Sequence, residues 1–391
     1  MTGAQERSAM RIVALDLGSR ISYCEVKDGQ VVERTTATSL SGLAQLLGPN
    51  TPPAQVAFEA CREAWAVHDQ LEEWGHEPLM LDTTRVRQLG IGQHKRKNDR
   101  IDAETMARAL EIGRVPLAHV LSPARRELRL QLGVRRALVG TRAEYVAQIR
   151  GLARAHGQHL PTCNTENFLE HLGKTTLSEA VRALTEPLAV LLEVLTPQIA
   201  LVEKKLEQLC AKEPVIKRLG TVPGVALIVA AAFVSVIDDA KRFRRAHHVE
   251  AYVGLVPSEN TSIHRKLGAI TKQGNSYLRA LLIQAAHSVF RLRADDPLKR
   301  WGEAIEQRRG KRIAVVAVAR RLVGILWAMW RDGSLYSPTK LGLAAATGLS
   351  THAKELTAEA EEQRAAVTPT GNRRRTPRTS ARKTPREVTM S

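Results

Sequence analysis

The chain has 391 residues, 43% of them hydrophobic, which is long enough for about two or three domains with buried cores. Its formal net charge of +18 predicts a polyanionic partner, nucleic acid rather than a membrane surface. The four cysteines form no C-x-x-C pair, which argues against a zinc site or a disulfide framework, and the longest apolar run, Val225 to Ile237, is shorter than the roughly 20 residues that span a bilayer.

Residues 10–122 predict a mixed α/β domain, because short apolar strands come first and then alternate with helices. This part of the chain is close to neutral: residues 1–122 hold 14 Lys and Arg against 16 Asp and Glu. A turn at Lys27 to Gln30 joins the second and third strands. The predicted strands cover 11–16, 21–26, 31–38, 55–58 and 78–81, and the predicted helices cover 40–47, 63–74 and 98–112.

From about Pro123 the pattern predicts helices and no further strands. Apolar residues recur in coiled-coil steps from Leu177 to Leu209, with a loop expected over 160–176. Pro187 and Pro197 predict kinks or a break in this repeat. We expect a helical or coiled-coil segment over 123–212, and the repeat fits either an antiparallel hairpin within one chain or a seam between two chains.

Residues 213–345 predict a second, mostly helical domain, with strong helices over 278–292 and 313–330. Most of the positive charge of the chain follows the first domain, since residues 123–351 hold 35 Lys and Arg against 19 Asp and Glu. The remaining residues, 349–391, are polar and basic, which is typical of a disordered tail.

Four carboxylates make up the candidate catalytic site. Asp16 and Glu59 each end an apolar strand, and Asp99 and Asp102 stand three residues apart on a predicted helix, so the last two share a face. Like charges gathered in this way favour a divalent cation, and hard oxygen ligands favour Mg²⁺ or Mn²⁺. Such a site suits phosphoryl transfer on nucleic acid.

Basic residues surround the helical acid pair and are candidates for binding the scissile phosphate: Lys95, Arg96, Lys97 and Arg100. A second candidate nucleic-acid contact lies in residues 219–236, where a Pro-Gly turn at Gly224 stands between apolar segments. This pattern resembles the second half of a helix-hairpin-helix, whose backbone amides can meet a phosphate. A plain turn between two helices remains the alternative.

The sequence resembles the DEDD-type insertion-sequence transposases, the group related to the Piv invertase. In the first part of the chain, Asp16, Glu59 and the D-x-x-D-A run at Asp99 and Asp102 carry the resemblance. In the later part it rests on Pro223-Gly224, Gly254-Leu255-Val256-Pro257, Thr271-Lys272 with Gly274-Asn275, and the run over 316–329. The resemblance covers about residues 10–335.

The resemblance implies a RuvC-like (RNase H-like) domain followed by a C-terminal transposase domain. It also implies a serine nucleophile that becomes covalently linked to DNA, for which Ser262 is the candidate and Ser258 the runner-up. Arg265, Lys266 and Lys272 become further candidates for contacting nucleic acid. The family implies element-end and target DNA, a structured guide RNA called a bridge RNA, a homodimer or homotetramer, and a place in the bacterial cytoplasm with the nucleoid.

Two other functions share some of these features. A metal-dependent nuclease such as a junction resolvase would use the same four acids with water as the nucleophile. A nucleic-acid-binding protein without catalysis would need none of the acids, and their joint presence argues against it.

Overall fold

The computed structural model describes residues 10–18, 20–37, 39–86, 99–261 and 265–338. The chain divides into two compact units, residues 1–123 (unit 1) and residues 124–391 (unit 2). Unit 1 is mixed α/β, and the described part of unit 2 is mostly helical.

Unit 1 is built on a five-stranded sheet with the strand order β3-β2-β1-β4-β5. The strand β2 is antiparallel to both of its neighbours, β1 and β3. The strands β1, β4 and β5 are parallel to one another. The predicted strands, the turn and the predicted helices of this unit are confirmed closely. The elements are β1 (Arg11–Leu17), β2 (Ile21–Lys27), β3 (Gln30–Ala37), α1 (Leu40–Leu47), β4 (Ala54–Glu59), α2 (Ala64–Glu73), β5 (Glu77–Leu81), α3 (Thr83–Val86) and α4 (Asp99–Glu111).

Both faces of this sheet are buried, because side chains alternate along each strand and helices cover both sides. Val13 and Leu15 point to the face that α1 and α2 cover, in a cluster with Leu71. Ala14 points to the opposite face, in a cluster with Ala103 and other residues of α4. The strand β1 therefore lies in the middle of the domain, with only its ends near the surface.

A buried histidine ties three elements of unit 1 together. The imidazole of His76 accepts a hydrogen bond from the backbone N–H of Ala54 (3.1 Å) through Nδ1 and donates one to the carbonyl of Leu47 (2.9 Å) through Nε2. Burial lowers the pKa of His76, because the interior disfavours the charged imidazolium. The neutral ring thus joins the end of α1 to the starts of β4 and β5.

Unit 2 begins with two 33-residue helices, α5 (Pro123–Ala155) and α7 (Glu179–Ala211), each about 50 Å long. They form an antiparallel pair within one chain. Leu132 of α5 and Leu206 of α7 share one core, whereas Ile149 and Leu192 share a second, smaller one. The guanidinium of Arg135 on α5 also pairs with Glu203 on α7 at 2.6 Å.

One sequence prediction for this hairpin is wrong, and of the kinks or break predicted at Pro187 and Pro197 only the break is excluded. The loop expected over 160–176 contains a short 3-10 helix (Thr165–Asn167) and α6 (Phe168–Lys174), which the burial of Phe168 holds against the hairpin. No break occurs at Pro187 or Pro197, since α7 continues through both. Both prolines lie on the exposed side of α7, where water can bond to the carbonyls that a proline leaves without a partner.

The rest of unit 2 packs around one long helix. Trp327 of this helix is buried, and its indole N–H donates to the carbonyl of Ala240 at 2.9 Å. The elements are α8 (Pro214–Leu219), α9 (Leu227–Ile237), a 3-10 helix (Ala240–Arg242), α10 (Ala246–Val253), β6 (Pro257–Thr261), β7 (Arg265–Ile270), α11 (Ser276–Phe290), α12 (Pro297–Arg309) and the central helix α13 (Lys311–Asp332). The expectation of no strands after Pro123 is wrong, because β6 and β7 pair as an antiparallel hairpin.

Two described helices, α7 and α13, are long and apolar enough to cross a membrane by length and composition alone. The apolar window of α13 is 56% buried within unit 2, as expected for the core helix of a globular domain, whereas that of α7 is 17% buried.

Candidate functional site

Asp16 and Glu59 are brought side by side by the central strands of unit 1. The parallel register of β1 and β4 pairs Leu15 with Phe58, so the next residues along the two strands are neighbours. Adjacent strands lie about 4.8 Å apart. Asp16 shares the side of the sheet with Ala14, and Glu59 shares it with Ala57. The two carboxylates therefore extend from neighbouring positions toward the face that α4 covers.

The helix α4 places its N-terminal end at the same edge of the sheet. Its C-terminal end is held at the β2–β3 turn, where Arg108 donates to the carbonyl of Gly29 and Glu111 accepts from the N–H of Gly29 at 3.0 Å. That turn lies at the edge opposite Asp16. A 13-residue helix is about 20 Å long, which matches the length of a seven-residue strand. The start of α4 is consequently level with the carboxyl ends of β1 and β4.

Asp102 lies in the first turn of α4, half-buried beside Ala103, which packs fully buried against the sheet. Asp99 is the first residue of this helix, and Arg100 follows it; only their backbones are described. Lys95, Arg96 and Lys97 lie outside the described residues. The fold thus gathers Asp16, Glu59 and the helical turn that carries Asp99 and Asp102 at one edge of unit 1.

This donor set fits a divalent cation. Two carboxylates on adjacent strand ends and a third on the facing helix supply hard oxygen ligands, the type that Mg²⁺ and Mn²⁺ prefer. Carboxylates this close repel one another, and a cation between them removes that repulsion. The helix N-terminus adds a partial positive charge, which favours the acids of its first turn.

A second group that could hold a metal lies on the other side of the sheet, and sequence reasoning missed it. His68 Nδ1 on α2 is 3.3 Å from an oxygen of Asp69 and 3.8 Å from one of Glu72. The H-x-x-x-E spacing, which puts both side chains on one helical face, was the available signal. Val67 and Leu71 of this helix pack on the cluster that contains Leu15, so the sheet separates this group from Asp16.

The candidate serines belong to the β6–β7 hairpin of unit 2. Ser262 lies outside the described residues, between the two strands. Ser258 is exposed on β6, and its hydroxyl donates to the carbonyl of Ala269 at 3.0 Å. A side chain at Gly268 would meet that hydroxyl at 2.6 Å. Ser258 therefore already serves the pairing of the two strands. Arg265 and Lys266 are on β7, with only their backbones described.

Two glycines, Gly254 and Gly274, allow close backbone contact between the chain after β7 and the end of α10. Gly254 has φ +78°, and an added Cβ would lie 2.2 Å from the carbonyl oxygen of Gln273. Gly274 has φ +72°, and its Cβ would lie 2.2 Å from the carbonyl oxygen of Tyr252. Only glycine fits either position. The chain after β7 thus lies directly on the end of α10.

Lys272 takes part in the same contact. Its backbone N–H donates to the carbonyl of Gly254 at 3.1 Å, and its φ of +56° is rarely adopted by residues with side chains. Its side chain is exposed, and Asn275 caps the following helix by accepting from the N–H of Leu278 at 2.9 Å. The backbone of Lys272, fixed by this hydrogen bond, therefore places a cationic side chain at the surface next to the β6–β7 hairpin.

Gly224 stands in the turn between α8 and α9, as the Pro-Gly pattern predicts. Its φ is +79°, and a Cβ there would lie 2.6 Å from the carbonyl oxygen of Ala285 on α11. The close approach of these two backbones explains the glycine by packing alone. A contact between this turn and a phosphate remains a prediction.

Comparisons with known proteins place both units in one family. Residues 13–156 match the profile of the IS110-type DEDD transposases, described as "Transposase", and residues 216–300 match the "Transposase IS116/IS110/IS902 family". The chain is 30% identical over 297 residues to a "Probable family 20 transposase" of Pseudomonas aeruginosa, a match that covers 73% of this chain and 87% of that protein.

Two further relatives carry similar names. The chain is 26% identical to the "Transposase for insertion sequence element IS1328" of Yersinia enterocolitica, over 83% of this chain and 98% of that protein. It is 29% identical to the "Transposase for insertion sequence element IS1111A" of Coxiella burnetii, over 60% of this chain and 66% of that protein. The coverage of the Pseudomonas relative and the two matching profiles show that this chain belongs to the IS110/IS116 family of DEDD transposases.

Proposed function

We propose that this transposase cuts and exchanges DNA strands at a metal site formed by Asp16, Glu59, Asp99 and Asp102, with Ser262 as the nucleophile. The observation that carries the proposal is the in-register neighbourhood of Asp16 and Glu59 at the edge of the sheet where α4 begins. When bound, Mg²⁺ or Mn²⁺ supplies Lewis-acid activation of the phosphate that is cut.

The topology of unit 1 supports a RuvC-like, RNase H-like domain. The sheet joins an antiparallel β1-β2-β3 meander to two parallel strands, with β1 at the centre and helices on both faces. In this arrangement the carboxyl end of β1 is next to that of β4, and both are faced by a helix. The acids at those three places are the ones that the sequence singles out.

The proposed reaction keeps the number of phosphate ester bonds constant. The Ser262 hydroxyl loses its proton, its oxygen bonds to phosphorus, and the bond from phosphorus to the 3′ oxygen breaks. The 3′ oxygen takes up a proton and leaves as a hydroxyl, with the DNA held as a phosphoserine. After strand exchange, a 3′ hydroxyl attacks the phosphoserine and releases the serine. The described part of the hairpin supports Ser262 over Ser258, whose hydroxyl bonds to Ala269.

The partners in this proposal are element-end DNA, target DNA and a structured guide RNA. The excess of positive charge in residues 123–351 supports nucleic-acid binding by unit 2, where the field would favour any polyanion. A location in the bacterial cytoplasm, with the nucleoid, follows from these partners, and the three relatives described above come from bacteria.

A homodimer or homotetramer is also part of the proposal. The face of α7 that points away from α5 exposes Leu184, Leu191, Val194 and Leu201, with exposed fractions of 45% to 60%. These residues recur in steps of seven and three, which is the spacing of a coiled-coil seam. The described chain therefore has one apolar stripe used within the hairpin and a second one that a further copy of α7 would cover.

The test is a denaturing gel that detects protein bound covalently to DNA. Purified protein is incubated with the element's end DNA, the flanking transcript and Mg²⁺, beside Ser262→Ala, Ser258→Ala and Asp102→Asn. We expect an adduct for the native protein and for Ser258→Ala, and none for Ser262→Ala or Asp102→Asn. DNA cleavage without any adduct would refute the serine step and identify a water-using nuclease with the same acids.

A further inference from the structure

An open cavity of about 710 Å³ lies on unit 2, and none of its lining residues belongs to the β6–β7 hairpin or to the carboxylate site. The C-terminal part of α11 and the first residue of α13 form its walls. Its lining residues are Gln284, His287, Ser288, Phe290, Arg291 and Lys311. Two cations, an imidazole, a hydroxyl and an amide thus converge on one concave surface, together with the ring of Phe290.

The two cationic side chains of this cavity, Arg291 and Lys311, are available to bind an anion. The guanidinium of Arg291 donates through Nε to the carbonyl of His287, one turn earlier on α11, which orients it along the wall. Within the described ranges, no carboxylate oxygen lies within 4.0 Å of Arg291 or Lys311. Both side chains are exposed. An anion entering the cavity would therefore meet donors that have no competing carboxylate.

The surroundings add to the positive field. Arg308 and Arg309 end α12, Gly310 follows, and Lys311 and Arg312 begin α13. The two acids nearest along the chain to Arg291 have other contacts: Asp295 lies 3.4 Å from Arg300, and Asp296 accepts from the hydroxyl of Tyr336.

The start of α13 supplies a further feature that favours anions. Gly310 has no side chain to bond the N–H groups of the first helical turn, and Lys311 is the first residue of that turn. Free N–H groups at the beginning of a 22-residue helix favour negative charge.

We propose that this cavity binds the phosphate backbone of duplex DNA and positions it on unit 2. The proposal rests on the proposed function, because it takes DNA as the substrate. The shared chemistry is that of a phosphodiester: Arg291 and Lys311 neutralise its charge, and the Gln284 side-chain amide donates to its oxygens, while the Ser288 hydroxyl donates to the carbonyl of Gln284 at 3.1 Å. Such contacts set the register of a protein on DNA without reading its sequence.

The test is the salt dependence of DNA affinity, measured by fluorescence anisotropy on an end-containing duplex and on an unrelated duplex. Each lost phosphate contact lowers the slope of log K against log salt by about 0.9. For the double variant Arg291→Gln with Lys311→Gln, we expect the slope to fall by about 1.8 on both duplexes. At 0.15 M salt this corresponds to about 30-fold weaker binding.

The matched control is Arg182→Gln with Lys204→Gln, two exposed cations on α7, which changes the net charge equally. An unchanged slope in the cavity variant, or an equal fall in the control, would overturn the proposal. If the cavity variant loses salt slope on the flanking RNA transcript but keeps the native slope on both duplexes, the assignment to DNA is wrong. Native protein that binds neither duplex would instead refute the proposed function, so the two failures are distinguishable.

Discussion

Replacing Asp16 by asparagine tests the carboxylate site without requiring DNA. The strands β1 and β4 are about 4.8 Å apart, so carboxylates extending from Asp16 and Glu59 in one direction lie about 5 Å apart. Their repulsion is about 1 kcal/mol in watery surroundings and about 3 kcal/mol at an effective dielectric constant of 20. In EDTA we therefore expect Asp16→Asn to raise the free energy of unfolding of unit 1 by about 1 kcal/mol or more.

Magnesium should shift the difference between the two proteins by about 2 kcal/mol in favour of the native protein. At a concentration 100 times the Kd, a bound ion adds about 2.7 kcal/mol to the free energy of unfolding, and a 100-fold weaker affinity reduces this gain to about 0.4 kcal/mol. The native protein should show the larger gain and Asp16→Asn the smaller. Hydrogen exchange against urea, with and without Mg²⁺, measures both quantities for β1 and β4 separately from unit 2.

The control is Asp69→Asn, which removes an acid from the His68 group on the opposite face of the sheet. This variant should keep the full magnesium gain. A gain that persists in Asp16→Asn and disappears in Asp69→Asn would refute the assignment of the metal to the strand ends.

Three further outcomes are expected. Gly254→Ala should destabilise unit 2 by at least about 2 kcal/mol in urea unfolding, because of its φ and its contact with Gln273, whereas Gly157→Ala, with open space around it, should cost about 1 kcal/mol. Because burial lowers the pKa of His76, the unfolded chain binds a proton first as the pH falls. Stability should therefore decrease below about pH 6.5, and this slope should be absent in His76→Gln. Leu191→Glu with Leu201→Glu should reduce the oligomer to monomers in light scattering, and Arg182→Glu, an exposed position of α7 outside this stripe, should not; an unchanged mass would exclude α7 as the seam.

The fold of unit 1 was predictable because its central strands are buried on both faces of the sheet and are therefore apolar at successive positions. Val13 and Leu15 serve one face of β1 and Ala14 the other, so the strand shows a continuous apolar run that ends abruptly at Asp16. An acid at the end of such a run is recognisable in the sequence. The helical spacing of Asp99 and Asp102 is equally visible.

The end of the sheet to which α4 brings these acids was not predictable. That placement depends on Glu111 and Arg108 binding the turn at Gly29, residues about 80 positions apart in the chain. Periodicity within α4 shows which side is buried, but it contains no information about the direction of the helix on the sheet.

Unit 2 was predicted less completely for the same reason. The strand β6 has the sequence PSENT, without apolar alternation, and its pairing depends on backbone contacts such as the one between Thr271 and Val256. The helix α6 is anchored mainly by Phe168. In each case the stabilising contacts come from distant parts of the chain, and local propensity was a weaker influence.

The clamp between α4 and Gly29 has a consequence for when the protein can act. The proposed metal ligands come from two strands and from a helix that begins 40 residues after Glu59, so a chain that has folded only its first strands lacks part of the proposed ligand set. Fraying of the last turn of α4, some 20 Å from the acids, would also loosen the first turn. On the proposed function, a protease that nicks the β2–β3 turn would therefore weaken metal binding without touching any of the four acids.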